Sequence, residues 1–108
     1  MFSLLLNLLV SPAEAGVLGK YSFVPSNSCG GDYLEFEQGT MELVQSYAVQ
    51  YKVRLVYTEG QECLDIYNDD ITKYMGIWCP IIANGDQLVF RMELIGQGSD
   101  IYKVFKCY

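Results

Sequence analysis

Several groups of residues in this chain have the types and spacing that chemistry uses. Asp65, Asn68, Asp69 and Asp70 fall together in DIYNDD and would be the oxygen donors of a calcium site. A calcium loop places its acids at alternating positions, with a glycine at the bend and a closing glutamate. This stretch lacks that order and reads as a solvated turn. Glu35 and Glu37, with Glu42 across a hairpin, could be read as a glycosidase carboxylate pair. Their alternation with Leu34 and Phe36 sends them to the outer face, where no cleft is implied. Gly30-Gly31 and Gly96-Gln97-Gly98 could cradle an anion. Phosphate loops feed a helix N-terminus, whereas strands flank both glycine runs here, so both read as turns. The chain has no histidine. The commonest general base and metal ligand is therefore missing, along with the usual partner of a serine or cysteine nucleophile. The expectation is a protein that is not an enzyme and that holds no metal or cofactor.

The cysteines Cys29, Cys63, Cys79 and Cys107 are dispersed, without the close pairs of a zinc ribbon. An even, scattered set in a small chain points to two disulfides and an oxidising compartment. The nine tyrosines and one tryptophan raise a different possibility. Tyr47, Tyr51 and Tyr57 share a strand face with Val49, Val53 and Leu55. They either fill a core or line a pocket, because a buried tyrosine needs a partner for its hydroxyl. Phe36, Phe90, Met92 and Trp78 join them as pocket candidates. Trp78, beside Cys79, is placed to cover one end of the fold or to pack on a disulfide.

These residues must be positioned by strands. In YAVQYKVRLVY the residues alternate, with Tyr51, Val53 and Leu55 on one face and Lys52, Arg54 and Val56 on the other, the mark of a strand with one wet face. YLEFE and QLVFRMEL repeat the alternation. It places Leu34, Phe36, Leu88, Phe90, Met92 and Leu94 inward and Arg91 and Glu93 outward. The register of the last strand, IYKVFKCY, is ambiguous. Turn signals interrupt the pattern at regular intervals, and the Asn84-Gly85 pair marks a tight hairpin. The predicted strands are 19–25, 32–37, 40–46, 48–57, 63–67, 73–82, 87–95 and 101–107. The fold class is all-β. An antiparallel up-and-down meander of about eight strands closes most readily into a small barrel, which also removes exposed edges.

The opening MFSLLLNLLVSPAEAG has two readings. Phe2–Val10 followed by Ala13-Glu14-Ala15 has the form of an apolar signal-peptide core and its cleavage site, without a positive residue at the start. It is too short to cross a bilayer, so no permanent membrane anchor is expected. Alternatively, Ser11-Pro12-Ala13-Glu14 caps a short helix, leaving Leu4, Leu5, Leu6, Leu8 and Leu9 to pack on the domain. Either way residues 1–15 form a leader, and 16–108 a single domain. Thirteen acidic against seven basic residues give a net charge of −6. That excludes a nucleic-acid surface and fits a cationic protein partner.

Val17-Leu18-Gly19-Lys20-Tyr21 resembles the Gly-x-Trp opening of short bacterial lipocalin-like domains, with Tyr21 in place of the tryptophan. Cys29, the run Asp32-Tyr33-Leu34-Glu35-Phe36-Glu37-Gln38-Gly39, and the pairs Leu64/Ile66 and Leu88/Phe90 follow that family's order. The resemblance implies a barrel and a cavity, not an activity. The expected function is an exported, secreted or periplasmic binding protein that holds a small apolar or amphipathic ligand inside the barrel. The alternative is a module or inhibitor acting on a cationic partner such as lysozyme. Of the three possible disulfide pairings, Cys63–Cys79 joins adjacent strands and is the easiest to form. It leaves Cys29–Cys107, which meander order alone does not bring together.

Overall fold

The computed structural model describes residues 17–25, 28–84 and 86–108. Both readings of the leader, the capping box included, lie outside the described residues, as does Gly85. Eight antiparallel strands follow one another around a closed barrel. They are β1 (Gly19–Ser22), β2 (Tyr33–Glu37), β3 (Thr40–Val44), β4 (Ala48–Thr58), β5 (Gln61–Tyr67), β6 (Tyr74–Ala83), β7 (Gln87–Leu94) and β8 (Gly98–Lys106). Each strand pairs with its sequence neighbours, and β1 closes on β8.

Two boundaries differ by three residues from those read in the sequence, and several others by one or two. β1 stops at Ser22 because the chain turns away at Phe23–Pro25. β8 starts at Gly98, where Gly98, Ser99 and Asp100 pair with Leu94, Glu93 and Met92. Gly98-Ser99-Asp100 has turn composition, yet the ladder of a tight hairpin claims it. Only Ile95, Gly96 and Gln97 form the turn.

The alternation sorts the faces as its period requires. Val53, Leu64, Ile66, Trp78, Leu88, Phe90 and Val104 are buried inside, together with Tyr21, Leu34, Phe36 and Met41. Arg54 and Glu93 are exposed, and Lys52 and Arg91 take the same outward parity. Because strand direction alternates, connections fall at two ends. The base carries β2–β3, β4–β5 and β6–β7 together with the start of β1 and the end of β8. The mouth carries the other four connections. Toward the mouth end of β6, Gly76 is buried on the inner face, and a Cβ there would collide with the Glu93 carbonyl. Only glycine lets β6 and β7 approach so closely.

Both disulfides lie toward the base. Cys63 and Cys79 sit on facing positions of β5 and β6, one step from the Leu64–Trp78 pair, with Cα atoms 4.4 Å apart. Their parity is opposite to Leu64 and Trp78, so this bridge is on the outer face, where the Arg91 guanidinium reaches the Cys79 Sγ at 3.6 Å. Cys29–Cys107, spanning 78 residues, is the pairing that meander order does not suggest. It forms because the β1–β2 connection returns down the outside of the barrel. There Cys29 N–H donates to the Tyr108 carbonyl, and Cys107 N–H donates to Lys20. Ser22 is buried beneath that connection, and its hydroxyl accepts from Val24 N–H.

Non-reducing peptide mapping is expected to recover Cys29–Cys107 and Cys63–Cys79. In the chain-entropy relation, loops of these lengths correspond to about 4.5 and 3 kcal/mol respectively. Replacing Cys29 and Cys107 by alanine therefore lowers the denaturation midpoint more than replacing Cys63 and Cys79. The reverse order would contradict a seam held by the long-range bridge.

Candidate functional site

The barrel interior is divided by height. Its lower part is solid. Phe36, Trp78 and Phe90 form a continuous aromatic column, with ring centroids 4.9 Å apart between Phe36 and Trp78 and 5.3 Å between Trp78 and Phe90. Tyr21 meets Phe36 edge-on at 6.5 Å, and Leu64, Leu88 and Val104 fill the remaining space. Lys106 closes the base. Its stem enters from β8, its ammonium donates to the Leu18 carbonyl at 2.9 Å, and it lies 5.1 Å from the centre of the Tyr21 ring. Gly19 admits that ammonium, because a Cβ on Gly19 would occupy its position. Trp78 Nε1 is buried without a hydrogen-bond partner among the described residues, a desolvation cost of about 1–3 kcal/mol.

The upper part is hollow. A cavity of about 160 Å³ opens at the mouth between β2, β3, β7 and β8. Phe90 and Tyr102 form its floor as a stacked pair, 5.3 Å apart and 20° from parallel. Leu34, Leu43, Met92 and Leu94 make the walls, and Phe23, Gln45 and Gln97 border the opening. The lining is mostly apolar with a few polar groups at one edge, the usual make-up of a small-molecule site. Outside the barrel, a wider depression of about 310 Å³ lies under the β1–β2 connection, lined by Ser22, Val24, Gly30, Gly31 and Asp32 among others. It is open, and no inward-facing strand position contributes to it.

Of the seven residues read as pocket candidates, two line the cavity: Phe90 and Met92. Phe36 and Trp78 are inside but below it, in the aromatic column. Trp78 does not pack on the Cys63–Cys79 bridge, because adjacent residues of a strand point to opposite faces. Tyr51 packs half-buried against the core without reaching the cavity. Tyr47 and Tyr57 are corrections to the sequence reading. Tyr47 is 72% exposed in the β3–β4 connection at the mouth. Tyr57 is 66% exposed at the base end of β4, where its hydroxyl donates to Glu62 at 2.7 Å. Both have inward parity, but Tyr57 lies on the part of β4 that extends beyond β3, and Tyr47 lies in the connection before β4 begins. The sequence reading missed Leu43, Gln45, Gln97 and Tyr102 as lining residues. Tyr102 was hidden by the undecided register of β8, which its pairing with Phe90 now sets.

The remaining motifs have plain structural roles. Asn68 Oδ1 accepts from Thr72 and Lys73 N–H at 2.8 and 2.9 Å, and Asn68 Nδ2 donates to the Thr72 hydroxyl. DIYNDD is thus an Asx-organised turn, and the Thr72 hydroxyl holds the Asp70 carboxyl below its ordinary range. Among the described residues no three metal-ligating side chains cluster. Glu35 lies across from Glu42 and Lys20, on the outer parity of β2. Asn84 Oδ1 accepts from Gln87 N–H at 3.0 Å and organises the β6–β7 hairpin.

Burial raises the pKa of the Tyr21 hydroxyl; burial, then the neighbouring Tyr47, raises that of Tyr51. In the unfolded chain both titrate near 10. Above about pH 10 the unfolded state therefore loses protons that the folded barrel retains, and stability falls as the pH rises. Denaturant titrations are expected to show a plateau below about pH 10 and a decline above it, with a shallower decline in Tyr21→Phe.

No family model, curated protein or solved structure matches this chain.

Proposed function

We propose that the protein is an exported lipocalin-like binding protein that takes a small apolar or amphipathic molecule into the mouth of the barrel and performs no catalysis. The observation that carries this reading is the unequal filling of the interior, with a packed aromatic base beneath an apolar cavity of about 160 Å³. An engineered apolar cavity of about 150 Å³ accommodates benzene. The occupant is accordingly one ring or a short chain, well below the drug-sized ligands of cavities of about 300 Å³ and above. The two disulfides support an oxidising compartment outside the cytoplasm. Among the described residues no helix is long and apolar enough to cross a membrane.

A thermal-shift series tests it. Single-ring compounds such as toluene and benzyl alcohol are expected to raise Tm in a concentration-dependent way, and naphthalene-sized compounds are not. At a hundredfold excess over Kd the stabilisation is about 2.7 kcal/mol. Met92→Trp fills the cavity and abolishes the shift while keeping the β-sheet circular dichroism. The absence of any shift with one-ring or short-chain compounds means that the cavity is not a ligand site.

A second reading has its own observation. Tyr47, Ile95 and Val24 are 72%, 64% and 61% exposed at the tips of mouth connections, with Ile71 beside them. Exposed apolar side chains on the connections at one end, on a chain of net charge −6, suit a cationic protein partner. A salt-sensitive complex with lysozyme, weakened at least tenfold by Tyr47→Ser with Ile95→Ser, would favour this reading. Undetectable binding at low salt would remove it.

A further inference from the structure

Beside the main cavity, at the mouth, lies a second hollow of about 50 Å³. The two share Met92, Leu94, Gln97 and Tyr102 as walls, so they are neighbouring compartments of one opening. The residue that belongs only to the second compartment's polar edge is Asp100. Its position follows from the register of β8: Asp100 pairs with Met92, and Tyr102 with Phe90, so Asp100 shares the inward parity of Tyr102 and Val104. Among the described residues no lysine or arginine forms an ion pair with it. Among the described residues the one ion pair is Arg91–Glu93, on the outer face. Lys20, Arg54, Lys103 and Lys106 are each engaged over rings elsewhere. The polar side chains at the opening are thus the amides Gln45 and Gln97, the Tyr102 hydroxyl and one carboxylate, with no positive group among them.

We infer that the occupant is a primary amine carried on a single ring, with the ring in the larger compartment and the ammonium group in the smaller one against Asp100. This inference rests on the cavity being a ligand site, as proposed above, and names the chemical class it selects. The volumes divide as the two halves of such a molecule do: about 160 Å³ suits one aromatic ring, and about 50 Å³ suits an ammonium group with little else. The charge decides the polarity of the head group. An ammonium gains a charge-assisted hydrogen bond to Asp100. A hydroxyl gains a weaker one, and a carboxylate meets repulsion both there and from the acidic chain as a whole. Asp100 is exposed, and an exposed ion pair contributes at most about 1 kcal/mol, which corresponds to about fivefold in affinity.

Three compounds of one shape test the inference: 2-phenylethylamine, 2-phenylethanol and 3-phenylpropanoate, titrated by calorimetry and by the fluorescence of Trp78. The amine is expected to bind about fivefold more tightly than the alcohol, and the carboxylate most weakly. Asp100→Asn should bring the amine to the affinity of the alcohol and leave the alcohol unchanged. High salt should narrow the amine's advantage in the same direction. Met92→Trp should abolish binding of all three. Equal affinities for amine and alcohol in the unmodified protein, or an amine preference that survives Asp100→Asn, would overturn the amine assignment while leaving the cavity as a ligand site. Amine binding that persists in Met92→Trp would place it on the surface and overturn the assignment as well. Failure of all three compounds to bind overturns the underlying proposal along with it.

Discussion

β1 meets β8 through only the Tyr21–Lys106 and Ser22–Phe105 pairs, the shortest contact between neighbouring strands in the barrel. Everything inside depends on that seam, because an eight-stranded sheet that does not close has two open edges and no enclosed core. So short a ladder is reinforced from both faces. On the inside, Lys106 ties β8 to the Leu18 carbonyl and covers Tyr21. On the outside, the β1–β2 connection is drawn down and fixed by Cys29–Cys107, with Cys107 N–H donating to Lys20. A lysine inside a barrel is costly unless its charge has partners. Here the Leu18 carbonyl and the Tyr21 ring face supply them, and a glycine at position 19 leaves the room.

The closed base and the hollow mouth follow from where large side chains fall along the strands. Toward the base and mid-height the inward positions are Tyr21, Phe36, Trp78 and Phe90, whose rings meet across the barrel axis. Toward the mouth they become Leu34, Leu43, Met92 and Leu94, which cannot reach one another across the same width. A barrel of eight strands has an interior that side chains can just fill. Substituting aliphatic for aromatic residues at one level is enough to leave space there.

Period-two alternation made much of this legible. It identified the inward set of β4 and β7, the outward acids and bases, and the hairpin at Asn84. It assigns a face but not a height, and that is why Tyr47 and Tyr57 were expected in the interior: both have the right parity and both lie beyond the rim. Gly98-Ser99-Asp100 illustrates the opposite error. Its composition says turn, but the ladder continues through it, and that continuation is what brings Asp100 to the opening. The Cys29–Cys107 bridge was legible only by elimination, since it depends on a connection folding back over the outer wall, which no local pattern encodes. Likewise the need for glycine at position 76 comes from the backbone of a strand distant in sequence.

Both covalent cross-links, the Lys106 tether and the aromatic column are concentrated toward one end of the molecule. Among the described residues the far rim carries neither a disulfide between strands nor an aromatic column. Resistance to local opening is therefore graded along the barrel axis. Amide protons of β5, β6 and β8 near Cys63, Cys79 and Cys107 are expected to exchange with solvent only when the whole barrel comes apart, and those flanking the β3–β4 and β7–β8 connections through smaller openings that leave the base intact. Such a gradient would let the rim breathe, as the proposed uptake of an occupant requires, without loosening the closure on which the fold relies.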